Sequence, residues 1–448
     1  MRERRNLAVV ITASLAGLLF GFDTVVMSGV TQSLREVFHL DPGSAWFGFA
    51  VASALLGTAL GALIAGIPGD RYGSRDALKL VGLLYVVSTL GSSMCWDLPS
   101  FYVFRFIGGI AIGASSVLAP VYISEIAPAD RRGALTGLFQ FNIVFGILLA
   151  FVSNGILQWA MHASWVWRVK LAVAAVPAVV FFALMYTIPQ SARWLAAKGR
   201  RDEARASLAH LGVAQPDAML AEFDKAAARE RAGSAARLFT AAHRRAILLA
   251  ILLAMFNQLS GINAILYYLN DIFAAAGFSS LSQDVQAVAI GAANLIATMI
   301  ALRVIDRFGR KKLLLIGAVG TAVALAGVAA IMGSGEGRQY LLLMLIAFIA
   351  FFAFSQGAVI WVYLAEIFPT AVRARGQALG SFTHWIMNAA IAFSFPLIAA
   401  HAQALPFAFF AGCMLLQFFV VLAIFPETRG VELESMDRAL QGRSGVHS

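Results

Sequence analysis

This sequence predicts an all-α membrane protein of twelve transmembrane helices, arranged in two six-helix halves. Three observations predict it. Of the 448 residues, 60% are hydrophobic and only 13% are charged, whereas soluble domains carry about 25% charged residues. Twelve apolar stretches, each near the ~20 residues needed to cross a bilayer, follow one another with mostly short connections. Two motifs of the first half return in the second at nearly one spacing.

The spans fall near 7–30, 45–67, 77–95, 99–123, 133–157, 169–188, 245–272, 284–305, 312–333, 339–365, 376–400 and 404–425. Basic residues gather in alternate loops. Arg2, Arg4 and Arg5 precede the first span, and Arg71, Arg75 and Lys79 follow the second. Arg131 and Arg132 follow the fourth, Arg307, Arg310, Lys311 and Lys312 the eighth, and Arg373 and Arg375 the tenth. The opposite loops hold only Arg35, Arg168, Lys170 and Arg338. The positive-inside rule therefore expects both termini in the cytoplasm of a plasma (bacterial inner) membrane protein. It also explains the net charge of +10 without a nucleic-acid partner. The first apolar run is too long for a signal peptide and lacks a small-residue cleavage site. The chain thus reads as an N-terminal bundle (1–188), a linker (189–244), a C-terminal bundle (245–425) and a cytoplasmic tail (426–448).

The linker is rich in Ala, Arg and Glu, and none of its windows is apolar for 18 residues. Trp194, Leu195, Leu208, Leu211, Leu220 and Phe223 are spaced as on short amphipathic helices. A structureless connection of that length is uncommon, so helices along the cytoplasmic membrane face are expected.

The repeat is specific. Asp70-Arg71-Tyr72-Gly73-Ser74-Arg75 returns 236 residues later as Asp306-Arg307-Phe308-Gly309-Arg310-Lys311. Tyr122-Ile123-Ser124-Glu125-Ile126, with Pro128, returns 241 residues later as Tyr363-Leu364-Ala365-Glu366-Ile367, with Pro369. Internal repeats are how many transporters build alternating access around a central site.

One carboxylate, Asp23, lies within the first apolar run. A charge in hydrocarbon costs roughly 3 kcal/mol on insertion scales, so it is a functional hypothesis by default. The plainer reading is a carboxylate near a helix end, facing headgroups. At 1.5 Å per residue Asp23 lies about 24 Å along the first span, and Arg105 about 9 Å from the outer start of the fourth. Both fall at similar depth in the outer half of a ~30 Å core. Arg is always protonated and holds a nearby carboxylate ionised. Either the pair is a permanent structural bridge, or it parts during a cycle and Asp23 takes a proton, biasing one conformation.

Several features absent from the sequence also narrow the function. There is no Walker-type phosphate loop, no metal-ligand spacing of Cys and His and no hydrolase triad motif. Cys95 and Cys413 make no disulfide framework. No enzyme activity, cofactor or metal is expected.

These residues resemble the major facilitator superfamily, through Asp-Arg-x-Gly between spans 2–3 and 8–9. Further motifs resemble its sugar porters: Gly21-Phe22-Asp23 with Ser28-Gly29, Arg105 before Ile107-Gly108-Gly109, and Tyr122-Ile123-Ser124-Glu125. Gln258-Leu259-Ser260-Gly261-Ile262-Asn263 with Tyr267-Tyr268, and Pro426-Glu427-Thr428-Arg429-Gly430, complete the match. One motif departs: the family's Pro-Glu-Ser-Pro-Arg-Trp reads Pro189-Gln190-Ser191-Ala192-Arg193-Trp194. Gln190 removes a carboxylate from the cytoplasmic charge network, which would loosen a gate.

The resemblance implies a proton-coupled symporter of monosaccharides, of the glucose-like hexose type, working as a monomer. Its proton-coupled members carry Asp where Asp23 stands, and its facilitative glucose transporters carry Asn. A sugar site needs neutral donors and acceptors together, which amides provide, and a rigid aromatic face. By resemblance Gln140, Gln258, Asn263, Asn294 and Trp361 are sugar contacts, and Phe20 packs beside them. For any one buried amide the alternative is a helix–helix hydrogen bond. Gln258 and Asn263 are five apart, so both face one cavity only if the helix breaks, and Ser260-Gly261 makes such a break. Asn257 replaces a second Gln. His384, beside Trp385 and Asn388, stands where others have Gln or Asn; it binds a hydroxyl, titrates or merely lines the wall. Tyr267 and Tyr268 resemble an outer lid. Asp70, Arg71, Glu125 and Arg131, with Asp306, Arg307, Glu366 and Arg373, resemble the family's inner gate. Topology-setting charge explains the basic members equally well, but not Glu125 and Glu366. A facilitative carrier and a non-transporting sugar sensor are the competing functions; the short tail after Pro426 speaks against a sensor.

Overall fold

The computed structural model describes residues 2–127, 132–161, 163–233, 238–369 and 372–429. The described residues form helices joined by turns. In order they are α1 Arg2–Val26, α2 Thr31–Val37, α3 Ala45–Ile64, α4 Gly66–Tyr72, α5 Ser74–Ser93, α6 Leu98–Ile126, α7 Arg132–Ala160, α8 Val166–Val173 and α9 Ala175–Leu184. The linker supplies α10 Ala192–Ala197, α11 Arg201–His210 and α12 Pro216–Gly233. Then follow α13 Arg244–Leu259, α14 Ile262–Tyr267, α15 Leu269–Ala275, α16 Ser280–Phe308 and α17 Arg310–Ser334. The last are α18 Leu341–Phe352, α19 Ala358–Glu366, α20 Arg373–His401 and α21 Leu405–Ile424.

Eleven helical stretches among the described residues are long and apolar enough to cross a membrane. The third predicted span, α5, has the length but not the hydropathy. It starts with Arg75, Asp76 and Lys79 and carries Ser88, Thr89, Ser92 and Ser93, all four of them buried. Its polar face is turned into protein, so it is the twelfth helix of the predicted two-half fold. The first span ends earlier than its apolar run: α1 stops at Val26 and a 3₁₀ turn, Met27–Gly29, follows.

By packing the chain forms two compact units, Met1–Val26 with Ser53–Ala235, and Met27–Ala52 with Ala236–Ser448. In the first, α1, α5, α6, α7 and α9 share a core that includes Val10, Ala111, Tyr122 and Phe181. Gly21 allows α7 to approach α1, since a Cβ there would lie 1.8 Å from the Ile143 carbonyl oxygen. The linker helices enclose their own small core of Ala192, Leu195, Ala204, Leu208 and Leu220, flanked by Trp194 and Phe223. The predicted amphipathic spacing thus produces the predicted helices, except that Leu211 joins the larger core.

In the second unit Leu249, Leu253, Leu314, Tyr363 and Phe368 centre the core. Its helices are interrupted where the candidate site lies. Gly261 takes a left-handed conformation (φ 79°) between α13 and α14. A single π-helical turn, Ala353–Gly357, separates α18 from α19. Glycine alone adopts the first conformation at no steric cost, and π turns concentrate at functional sites.

Candidate functional site

In the first unit α1 and α6 bring Asp23 and Arg105 together. Arg105 Nη1 donates to Asp23 Oδ1 at 2.6 Å, and both residues are only 4% exposed. The contact joins the two residues whose span positions the sequence puts at similar depth. Arg105 Nε is buried without a hydrogen-bond partner. The guanidinium is therefore held mainly by one carboxylate oxygen, and protonating Asp23 would leave a buried cation poorly compensated. Gln140 is half-buried on α7, and Phe20 is half-buried against the core.

In the second unit the break at Gly261 folds Asn263 back onto the end of α13. Asn263 Nδ2 donates to Gln258 Oε1 at 3.0 Å. Gln258 Nε2 in turn donates to Asn257 Oδ1 at 3.1 Å and faces the His384 ring on α20. Asn257 Nδ2 reaches the Gln356 carbonyl in the π turn at 3.3 Å. Trp361, 41% exposed, lies with its ring 5.2 Å from that of His384. Asn388 Nδ2 donates to the Tyr267 hydroxyl at 3.1 Å. Four of the predicted residues, Asn257, Gln258, Asn263 and His384, thus form one chain of neutral donors and acceptors beside an open indole face, and Asn388 with Tyr267 forms a separate pair. Asn294 is buried on α16, with no hydrogen bond to this chain.

Tyr268, the other expected lid residue, is pinned by its neighbours. Its hydroxyl donates to the Ala392 carbonyl at 2.9 Å, its ring stacks on Phe395 at 5.3 Å, and it meets Phe47 edge-on at 5.7 Å. Beside it is a feature that sequence reasoning missed. Arg35 Nη2 on α2 donates to Asp271 Oδ1 on α15 at 2.6 Å, with the guanidinium over the Phe47 ring. The only signal was an isolated Arg on the poorly basic side.

The repeated loops are built alike but wired differently. In the second unit Arg310 bonds both oxygens of Glu366 at 2.9 and 3.2 Å, and Thr428 Oγ1 adds a bond of 2.6 Å. Glu427 accepts from the backbone N–H groups of Arg310 and Lys311 at 2.8 and 3.1 Å. In the first unit Ser74 stands in place of Arg310, and Ser74 Oγ donates to Glu125 at 3.4 Å. Gln190 takes the place of Glu427. Its Oε1 accepts from Arg75 N at 3.2 Å and Ser191 N at 3.0 Å, while Nε2 donates to the Tyr72 carbonyl at 3.0 Å and to Asp76 at 3.2 Å. A carboxylate could satisfy only half of these, so Gln190 ties the loop instead of leaving it open. The indole of Trp194 donates to the Asp70 carbonyl, and the Arg71 guanidinium lies over Tyr72. Arg373 Nε donates to the Phe368 carbonyl at 3.3 Å, and Arg307 offers its carbonyl to Arg429. Arg131 and most of the tail, 430–448, lie outside the described residues, as does the side chain of Asp306.

Membrane-length helices in two repeated halves, a buried ion pair and a neutral polar cluster define a multi-pass membrane carrier. The comparisons give the particular family. A family model described as "Sugar (and other) transporter" matches residues 9–440. The D-xylose-proton symporter of Escherichia coli is 33% identical over 96% of this chain and 94% of its own length. The arabinose-proton symporter of Bacillus subtilis is 35% identical over 95% and 93%. An inward-open structure of the xylose transporter XylE from E. coli superposes with a TM-score of 0.87 at 31% identity, covering 97% of this chain and 99% of that one. The chain belongs to the sugar porter family of the major facilitator superfamily, and it is a transporter, not an enzyme.

Proposed function

We propose that this protein is a proton-coupled monosaccharide symporter working by alternating access, with Asp23 as the proton-binding group and Arg105 as its partner. The buried 2.6 Å contact between them carries the reading. Taking one partner from a buried ion pair costs about 3–5 kcal/mol. A proton on Asp23 is such a removal, so it shifts the balance between conformations by an amount large enough to drive a carrier. The names of the symporter relatives support the same coupling.

The sugar is held by Gln258, Asn257, Asn263, His384 and Asn388, with Trp361 as the apolar face and Gln140, Phe20 and Asn294 as further contacts. Before sugar enters, the amides bond one another. Sugar hydroxyls replace those bonds nearly one for one, and each exchange is worth only about 1 kcal/mol. Affinity then rests on Trp361 covering the C–H face of the ring. The substrate in this reading is a glucose-like hexose. The relatives' printed sugars are the pentoses xylose and arabinose, so counterflow of labelled glucose against unlabelled hexoses and pentoses decides between them. Tyr267 and Tyr268 close the outer side, and the charged loops around Glu125 and Glu366, with Asp70, Arg71, Arg131, Asp306, Arg307 and Arg373, close the inner side. Exposed ion pairs are worth below about 1 kcal/mol each, which suits contacts that break in every cycle.

The test is Asp23→Asn in proteoliposomes. Sugar accumulation driven by a pH gradient is lost while sugar exchange persists. A variant that still concentrates sugar overturns the coupling and favours the competing reading, a facilitative carrier whose Asp23–Arg105 pair never parts. The pair's deep burial is the observation that keeps that reading alive.

A further inference from the structure

Every side chain of α21 but one is apolar or a thiol, and the exception is Gln417. It is 0% exposed, and neither its Nε2 nor its Oε1 reaches a hydrogen-bonding partner among the described residues. Burying amide groups unpaired is costly, and native structures meet such groups with protein or with ordered water. Gln417 follows Met414 by one turn on the buried stripe Phe410, Met414, Gln417 and Val421.

A second buried amide reaches the same stripe from the π turn. Gln356, also 0% exposed, sends Nε2 to Met414 Sδ at 3.1 Å. A thioether is a weak acceptor, and Gln356 Oε1 has no hydrogen-bonding partner among the described residues. Residues three apart on a helix hold their Cβ atoms about 5–6 Å apart, so Met414 brings the Gln356 amide beside Gln417. The place offers two acceptors and a donor within an apolar surround, which is the set of partners a buried water needs. The backbone of Gln356 serves the candidate sugar site. Its carbonyl accepts from Asn257 Nδ2 at 3.3 Å, and the π turn leads into α19, which carries Trp361.

We propose that Gln356 and Gln417 hold ordered water between the π turn and α21, and that this site positions Asn257 and Trp361. The water donates to both amide oxygens and accepts from Gln417 Nε2. It fixes the Gln356 side chain, and through the main chain it fixes the carbonyl that orients Asn257 and the start of α19. Both amides act through other side chains, so they are positioning residues. The water site stands without the sugar-site reading above; its effect on binding rests on that reading.

The test is a double-mutant cycle of Gln356→Leu and Gln417→Leu on the full chain in detergent. It is read by thermal unfolding without sugar and by calorimetry of sugar binding. Removing one amide leaves the other and its water unsatisfied, whereas removing both leaves an apolar contact. Each single variant therefore unfolds about 2–4 °C lower, and the double variant recovers the wild-type midpoint or exceeds it. Two unconnected amides would behave oppositely, each leucine raising the midpoint and the two gains adding. Additivity of either sign overturns the proposal. Sugar affinity falls about fivefold in each single variant, as one lost hydrogen bond implies, and the double variant returns to within about twofold. Coupled unfolding with unchanged affinity in the single variants overturns the positioning role. An experimental map of the wild-type protein that resolves water shows a peak between the amides, and amides in direct contact overturn the water site. If leucine prevents folding, Gln356→Met and Gln417→Met repeat the cycle. Gln258→Ala keeps the two levels apart: unchanged affinity there means that the sugar site itself is misplaced, and the unfolding cycle still judges the water site.

Discussion

The bend at Gly261 makes the most exacting test of the site's geometry. Gly261→Ala adds one methyl where two costs combine. An L-residue in the left-handed region (φ 79° here) is disfavoured by about 1–2 kcal/mol. The new Cβ would also lie 2.3 Å from Cδ2 of Phe410, well inside van der Waals contact. Phe410 cannot retreat freely: it is 4% exposed, parallel to Phe395 at 6.5 Å and against Phe409 at 5.9 Å. Overpacking of this kind costs about 1–3 kcal/mol, so the total is about 2–5 kcal/mol. The sugar-free protein relieves the strain by letting α14 swing, which parts Asn263 from Gln258. Sugar must then restore the bend. Even the smaller figure weakens binding by about thirtyfold. Calorimetry of sugar binding reads this directly, and a second variant divides it. Phe410→Ala combined with Gly261→Ala removes the steric part and leaves the backbone part, a coupling that a double-mutant cycle measures. Gly261→Ala with affinity within twofold of wild type and an unchanged unfolding midpoint would refute the claim that this bend builds the site.

Other predictions concern the two ends of the molecule. Gln190→Glu removes donors from the Tyr72 carbonyl and sets a carboxylate against Asp76, 3.2 Å away. It lowers stability by about 1–3 kcal/mol, and Gln190→Ala costs a similar amount; thermal unfolding in detergent checks both, and a more stable Gln190→Glu would sink the wiring argument. Arg35→Ala leaves the half-buried Asp271 carboxylate without its cation, with Thr31 as its remaining side-chain partner. It weakens the docking of α2 on α15, seen as faster reaction of a cysteine placed at Val37 with a membrane-impermeant thiol reagent. The double reversal Arg35→Asp with Asp271→Arg restores slow labelling, and reversal that labels as fast as Arg35→Ala would show that the pair does no holding.

The general plan could be read because composition and periodicity report on the solvent, and the solvent here is lipid. The apolar run at 77–95 placed α5 despite the serines and threonines that lower its hydropathy. The break at Ser260-Gly261 was readable because glycine marks it. The π turn at Ala353–Gly357 had no such marker, since backbone hydrogen-bond register leaves no trace in hydrophobic patterning. The Arg35–Asp271 pair joins residues 236 apart and obeys no local rule. Nor does a linear reading reveal that residues 27–52 pack with the second unit, because tertiary partners are chosen by surfaces.

The repeat itself shows where sequence comparison misleads. At equivalent places Glu427 and Gln190 tie the same kind of loop, and a lost carboxylate looks like a lost contact. The partners decide otherwise. Every contact Glu427 makes within the loop is to a backbone N–H: Arg310, Lys311, Thr428 and Arg429 all donate to it. A carboxylate is the group that accepts from four donors. Gln190 meets two donors and two acceptors, and an amide is the group that serves both. Where Arg310 becomes Ser74 the carboxylate's surroundings change too: Glu366 pairs with the Arg310 guanidinium, and Glu125 meets the Ser74 and Ser191 hydroxyls with the Arg193 charge nearby. At the loop amides the first unit has thus replaced a carboxylate tie by an amide tie, while Asp76 beside it still pairs with Arg75 and Lys79. The neutral tie of Gln190 is screened less by salt than the charged tie of Glu427, so raising ionic strength should loosen the amides held by Glu427 before those held by Gln190. Hydrogen exchange of the Gly73–Ala77 and Gly309–Leu313 amides in rising salt would show it, and equal acceleration at both would mean that the substitutions carry no such asymmetry.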